Sequence, residues 1–158
     1  MKKTILVVAL LAFCAVASKT YAQDNPYSSG NFLIQATVGL PYVWSDLLVP
    51  PVGLSGEYGI VDFGRAGTLG AGGLFEYANY HSHWIQASAF AGYHFFINEA
   101  FEVHAKAGLG YRRYYDLSGV GALFLAGASY FFTPHFAVTA EAGYTHLSYL
   151  RLGVTFLF

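Results

Sequence analysis

Apolar and polar residues alternate along most of this chain, from Phe32 to Phe158. The alternation falls into eight runs of about ten residues, and short segments rich in turn-forming residues separate them. The runs cover residues 32–40, 52–60, 68–78, 84–94, 102–112, 120–131, 136–146 and 149–158. Because a period of two places successive side chains on opposite faces of a β-strand, the pattern predicts eight strands.

A short repeat supports this count. The pair Ala-Gly recurs at spacings of 16 to 20 residues, which is the length of one strand and one connection. Five copies with this spacing begin at Ala71, Ala91, Ala107, Ala126 and Ala142. The connections alternate between two sides, and residues 41–51, which contain three prolines, are expected to form the longest loop.

Composition indicates which face of the strands meets water. Alternation alone fits a barrel with an apolar interior or a membrane barrel with an apolar exterior. Charged residues are only 11% of the chain, so the polar face suits a narrow lumen better than a water-exposed exterior. Aromatic residues gather near both ends of the runs, as membrane-interface girdles do. One girdle comprises Phe63, Phe95, Phe96, Phe101, Phe132, Phe136, Phe156 and Phe158, and the other Trp44, Tyr80, Trp84, Tyr111, Tyr114, Tyr115 and Tyr149.

The start of the chain is expected to be removed. Lys2 and Lys3, the apolar residues 5–17 and the motif Thr20-Tyr21-Ala22 make residues 1–22 a predicted signal peptide. Residues 23–31 then form a short periplasmic segment, and residues 32–158 form the outer-membrane barrel domain. The only cysteine, Cys14, leaves with the signal peptide, which excludes a disulfide framework.

The chain after the predicted signal peptide contains no segment that could form a transmembrane helix. It also carries few positive charges. It offers no stretch of about 18 consecutive apolar residues, and in hydrocarbon only a closed barrel satisfies every strand's backbone groups. The predicted fold is therefore all-β, an eight-stranded antiparallel up-and-down transmembrane β-barrel. Three of the 8 Lys and Arg belong to the signal peptide, while all 9 Asp and Glu lie after it, which excludes nucleic acid as a partner.

Several segments carry a resemblance to a known family. They are Ala91-Gly92-Tyr93-His94-Phe95, Ala107-Gly108-Leu109-Gly110-Tyr111, Glu141-Ala142-Gly143-Tyr144 and the last strand, which ends at Phe158. The sequence resembles small porin-like, OmpA-type outer-membrane β-barrels that consist of the barrel alone. The resemblance implies a bacterial outer-membrane location, contact with lipid and lipopolysaccharide, and assembly by periplasmic chaperones and the barrel-assembly machinery. It also implies that Phe156 and Phe158 form the assembly signal; we expect a monomer.

Charged residues on the predicted inward face are the main candidate site. Glu57, Glu76, Lys106, Glu141 and Arg151 are expected to form a lumen charge network. Glu141 and Arg151 lie on the last hairpin, opposite each other or one diagonal apart. The network could plug the lumen or act as a charged gate across a pore.

Histidines raise two chemical alternatives. The six histidines lie at positions 81, 83, 94, 104, 135 and 146. Only His81-Ser82-His83 forms a close pair, which does not complete a tetrahedral metal site, so we expect the histidines at the surface and no metal or cofactor. His146-Leu147-Ser148 resembles the His-x-Ser arrangement of lipid A deacylases, but no acidic residue follows Ser148 to complete a triad. We therefore expect no enzyme.

Three functions remain open at this stage. The first is a small integral barrel with a structural or envelope role and a lumen plugged by internal charges. The second is a narrow porin-like channel for water or small solutes. The third is a lipid A-modifying barrel enzyme.

Overall fold

The computed structural model describes residues 26–42, 47–114 and 117–158, and the predicted signal peptide lies outside the described residues. Eight strands form one closed barrel in which each strand pairs with the next and the last pairs with the first. The strands are β1 (Phe32–Pro41), β2 (Val49–Asp62), β3 (Thr68–Asn79), β4 (His83–Phe96), β5 (Phe101–Tyr114), β6 (Leu117–Thr133), β7 (Phe136–Tyr144) and β8 (Ser148–Leu157). The predicted eight-stranded antiparallel barrel is confirmed.

Each predicted run overlaps one strand, and the main differences concern β2 and β7. β2 begins at Val49, inside the predicted loop 41–51, and it includes Pro50 and Pro51. The pairing register shifts between Val49 and Val52, and a strand tolerates proline at such an irregularity. β7 ends two residues earlier than predicted. No helix within the described residues has the length and apolar character needed to cross a bilayer.

The two faces of the strands differ sharply in exposure. Leu109, Leu152 and Phe156 point outward and are 64%, 57% and 42% exposed, whereas Lys106 and Glu141 are 4% and 1% exposed. The exterior is therefore the apolar face and the lumen is the polar face, which is the orientation of a membrane barrel. A one-residue change of register would reverse both faces.

The Ala-Gly repeat follows from this geometry. The alanines point outward and lie beside one another across strands, since Ala91 pairs with both Ala71 and Ala107. The next glycine points inward, and a Cβ atom at Gly92 would lie 2.3 Å from Glu57 Oε1. Glycine on the inner face therefore leaves room for the charged side chains of a narrow lumen.

Apolar clusters lie at both ends of the lumen. We call the end that holds Phe32 and Phe158 the terminal end, and the opposite end the loop end. The terminal-end cluster consists of Tyr27, Leu33, Phe131, Ala137 and Leu157, and the loop-end cluster of Ala78, Tyr80 and Leu147. Phe96, Tyr80 and Trp84 pack into or against these clusters, so placing them in the outer girdles was wrong. They lie on the lumen side of the strand ends.

Candidate functional site in the barrel lumen

The five charged residues predicted for the lumen all point inward. They occupy β2, β3, β5, β7 and β8, and each is at most 4% exposed. Glu141 and Arg151 are direct cross-strand partners. Their positions follow from the alternation, because each lies on the face of its strand opposite to the outward apolar residues.

Four of the five residues form one ion cluster. Lys106 Nζ lies 2.9 Å from Glu141 Oε1, and Arg151 Nε lies 3.4 Å from Glu141 Oε2. Arg151 Nε also lies 3.8 Å from Glu76 Oε1, and its Nη2 donates to Thr37 Oγ1 at 2.8 Å. Glu141 therefore joins the two cations, while Arg151 joins the two carboxylates.

Within the described ranges, Glu57 connects to this cluster through three residues that were not predicted for it. His94 donates from Nε2 to Glu57 Oε1 at 2.8 Å and from Nδ1 to Glu102 Oε1 at 2.5 Å. His104 donates from Nδ1 to the same Glu102 oxygen at 3.0 Å and from Nε2 to Glu141 Oε1 at 3.0 Å. A continuous chain of five side chains therefore crosses the lumen from Glu57 to Glu141.

The expectation that all six histidines lie at the surface was wrong for two of them. His94 is 1% exposed and His104 is 6% exposed. The alternation contained this signal, because Glu102 and His104 share the face of Lys106 along β5. A histidine on an inward face must find polar partners when it is buried, and here it finds carboxylates on both ring nitrogens.

The buried charges balance. Because a carboxylate oxygen only accepts hydrogen bonds, an imidazole bonded to carboxylates at both nitrogens carries two N–H protons and is cationic. Among the described residues that are buried, four carboxylates face four cationic groups: Glu57, Glu76, Glu102 and Glu141 against His94, His104, Lys106 and Arg151. Such pairing is what permits charges in a region closed to bulk water.

Apolar side chains border the network along the barrel. Leu74, Phe90, Leu123 and Leu125 form a buried cluster inside the lumen, and Lys106 Nζ lies 5.5 Å from the centre of the Phe90 ring. At the terminal end, the Tyr27 ring meets His94 edge-on, with 4.7 Å between ring centres. Burial, and then the neighbouring Glu57 carboxylate, raise the pKa of Tyr27. Its phenol therefore stays neutral where it covers the network.

At the loop end, the side chains of His146 and Ser148 are not arranged as the base and nucleophile of a lipid A deacylase. Ser148 is fully buried, and its Oγ donates to Glu76 Oε1 at 3.1 Å. The His146 Nδ1 atom instead accepts from Tyr144 at 2.7 Å and from Arg112 at 2.8 Å. Burial, followed by the Arg112 charge, lowers the pKa of His146. Among the described residues, His146 and Ser148 therefore form hydrogen bonds to different side chains.

The remaining predicted residues lie away from the lumen network. Phe156 and Phe158 are 42% and 65% exposed at the terminal end, where the backbone of Phe158 pairs with that of Phe32. His81 and His83 are exposed in and beside the short β3–β4 loop, and His83 Nδ1 contacts the Tyr77 hydroxyl at 2.9 Å.

A closed antiparallel barrel with an apolar exterior and a polar, charged lumen belongs to the class of transmembrane β-barrels. The sequence profile of the family described as outer membrane protein β-barrel domain matches residues 5–155, and the chain therefore belongs to this family. No curated protein matches the sequence.

Solved structures share this fold at low sequence identity. A de novo designed transmembrane β-barrel is 18% identical with a TM-score of 0.63, over 86% of this chain and all of that chain (100%). The N-terminal β-barrel domain of Pseudomonas aeruginosa OprF is 19% identical with a TM-score of 0.54, over 86% of this chain and 100% of that one. The Yersinia pestis outer membrane protein Ail is 16% identical with a TM-score of 0.54, over 82% and 100%. These similarities establish the fold. The function must be inferred from the residues of the lumen.

Proposed function

We propose that this protein is an integral outer-membrane barrel with a structural role in the envelope, and that its charge network closes the lumen. The observation that carries the proposal is the continuous set of contacts from Glu57 to Arg151 across the interior. Eight strands leave an interior just wide enough for side chains. Apolar clusters at both ends of the described barrel support a closed interior.

The surroundings follow from the exterior. The apolar outer face suits lipid, and the family supports a bacterial outer-membrane location. We propose that the loop end faces lipopolysaccharide and that the terminal end faces the periplasm. We propose that the protein acts as a monomer and is delivered by periplasmic chaperones to the barrel-assembly machinery. We propose no enzymatic activity, because Ser148 is buried against Glu76 rather than open to lipid.

Conductance in planar bilayers tests the closed lumen. The purified wild-type barrel is expected to show no steady conductance, and Arg151→Ala is expected to produce leak events because it removes the cation between Glu76 and Glu141. Leu152→Ala is the matched control, since it changes the outer face of the same strand. A large steady wild-type conductance would contradict closure and favour a narrow porin-like channel for water or small solutes.

Mass spectra of lipid A test the proposal that the protein has no enzymatic activity. The spectra from cells with and without the gene are expected to match.

Deletion of Phe158 tests the proposed assembly signal. Insertion in cells is expected to slow more than the final stability falls, because the deletion removes one exposed ring, which contributes about 1 to 2 kcal/mol of burial, and the terminal backbone pairing with Phe32. Pulse-chase measurement of the folded fraction separates the rate from the endpoint. Phe132→Ala, at another exposed ring of 61%, is the control. A normal assembly rate for the deletion variant would exclude this role.

A further inference from the structure

We propose that His94, Glu102 and His104 form a binding site for one divalent transition-metal ion of the Zn²⁺ type. Each residue offers one ligand atom, and these atoms lie within 4.8 Å of one another. All three residues are buried. Two imidazoles and one carboxylate are a common protein ligand set for such ions, with a fourth position open.

The ligand atoms already converge on one point. His94 Nδ1 and His104 Nδ1 lie 2.5 Å and 3.0 Å from the same oxygen of Glu102. Tetrahedral metal-to-ligand distances of about 2.0 to 2.2 Å place adjacent ligand atoms about 3.3 to 3.6 Å apart, so His94 Nδ1 and the Glu102 oxygen must separate by about 1 Å to admit an ion, whereas His104 Nδ1 moves less. The second Glu102 oxygen is buried and has no hydrogen-bond partner among the described residues, and it is free to become another ligand.

The far nitrogen of each ring is arranged as in metal centres. His94 Nε2 bonds to Glu57 and His104 Nε2 bonds to Glu141, at 2.8 Å and 3.0 Å. In protein metal sites a ligating histidine usually donates its other N–H to a carboxylate or carbonyl, which orients the ring and strengthens it as a ligand. Both rings therefore present Nδ1 to the same point with this support already in place.

Charge favours a divalent ion over a monovalent one. The four buried carboxylates face Lys106, Arg151 and the two imidazoles. When an ion of charge two replaces the two Nδ1 protons of His94 and His104, the charge of the lumen is unchanged. The ion therefore occupies the site without leaving an uncompensated charge in the low-dielectric interior.

The site lies near the terminal end, which gives an ion a short path. Glu102 is the second residue of β5, directly after the β4–β5 turn. Tyr27, from the segment before β1, covers His94 there. Displacement of this short segment would uncover His94 at the terminal end, which is proposed to face the periplasm.

This inference uses the network of the proposed function, but it does not require that the lumen be closed. Conductance tests closure, whereas metal uptake tests the site, so either can fail alone. The probe is Co²⁺, which reports coordination by its visible absorption, added to the chelator-treated barrel folded in phosphatidylcholine vesicles. A parallel sample is folded in the presence of Zn²⁺, desalted and analysed for metal, so that access through the folded barrel is not required.

The expected result is saturation at about one ion per chain, with Zn²⁺ displacing Co²⁺. His104→Asn and Glu102→Gln should abolish the saturable signal. Glu57→Gln, which removes the carboxylate charge behind His94 but none of the three ligands, should weaken affinity about 10- to 100-fold. His83→Asn, the same substitution in an exposed position, should bind as the wild type does. Heat-dependent gel mobility establishes that each variant is folded.

Two results would overturn the proposal. One is a folded wild-type barrel that contains no stoichiometric metal by either route. The other is binding that survives His104→Asn but disappears with His83→Asn, which would place the ion on the exposed histidines.

Discussion

The lipid face and the lumen of this barrel are built from the same strands but follow different rules. On β8, Leu152 points outward and lies beside Val38 and Ala140, and any apolar side chain of suitable size could replace it. Arg151, one residue earlier, is 2% exposed and contacts Glu76, Glu141 and Thr37. Its replacement would leave particular groups without partners. The lipid face therefore requires only that its side chains be apolar, whereas the lumen requires that particular charged side chains be paired with each other.

This difference predicts different penalties on the two faces. A charge placed on the lipid face costs the free energy of moving that charge into hydrocarbon, and the cost depends on depth. Removal of a charge from the lumen leaves its partner buried and uncompensated, and the cost depends on whether that partner has another ion nearby.

The largest effect is expected for Arg151→Met. It should lower the free energy of unfolding by about 3–5 kcal/mol, because it removes one member of a buried ion cluster. Urea titration in lipid vesicles, followed by tryptophan fluorescence, measures this change. The partners should not be equivalent. Glu141 keeps Lys106 at 2.9 Å and His104 at 3.0 Å, whereas Glu76 loses its ion-pair partner.

A second substitution therefore sharpens this prediction. Adding Glu76→Gln to Arg151→Met should restore part of the lost stability, since it removes the carboxylate that was left unpaired. Adding Glu141→Gln should restore less, because that carboxylate still neutralises Lys106. Equal recovery from the two pairings would contradict the network as described.

A charge on the outer face is expected to cost somewhat less. Leu152→Arg should lower the free energy of unfolding by about 2–4 kcal/mol if position 152 is near the middle of the bilayer. The same urea titration applies, with Leu152→Ala as the control for lost side-chain volume. An unchanged folding equilibrium for Leu152→Arg would mean that this face does not meet hydrocarbon.

The two faces also differ in how far the sequence predicts them. Every strand could be predicted, because period-two alternation is a local property and recurs eight times. The contact between Glu141 and Arg151 could be predicted too, since a hairpin places them on adjacent strands. The bond from Glu57 to His94 joins β2 to β4, which are not neighbours. Such contacts depend on strand stagger around the closed barrel, which the sequence pattern does not specify.

Glycine provides a matched test of the inner and outer surfaces. Gly92→Ala should destabilise the barrel by about 1–3 kcal/mol, because its Cβ would lie 2.3 Å from Glu57 Oε1. Gly73→Ala should be tolerated, because the nearest atom, Ser88 O, would be 3.6 Å from the new Cβ. Thermal unfolding of both variants in the same detergent compares them directly. Similar losses in both would indicate a general intolerance of the strands to alanine.

The smallest expected effect concerns acid and the loop end. The pKa of His146 is lowered by burial and then by Arg112, so the folded hairpin disfavours the protonated ring. Above the ordinary histidine pKa of about 6.5 the ring is neutral in both states, so the stability does not change with pH through His146. As the pH falls below this value, the opened hairpin binds a proton that the closed hairpin does not, and closure is progressively weakened.

Hydrogen exchange measures this weakening. Lowering the pH from about 7.5 to about 5.5 should increase opening of the β7–β8 loop a few-fold, after correction for the intrinsic exchange rate. His146→Gln should remove this dependence, because an amide does not titrate in this range, and it should leave the lumen residues Glu141 and Arg151 in place. If the variant and the wild type respond equally to acid, the sensitivity originates in the buried histidines and carboxylates rather than in the loop. The lumen would then differ from the loop end in its response to pH as well as in its response to substitution.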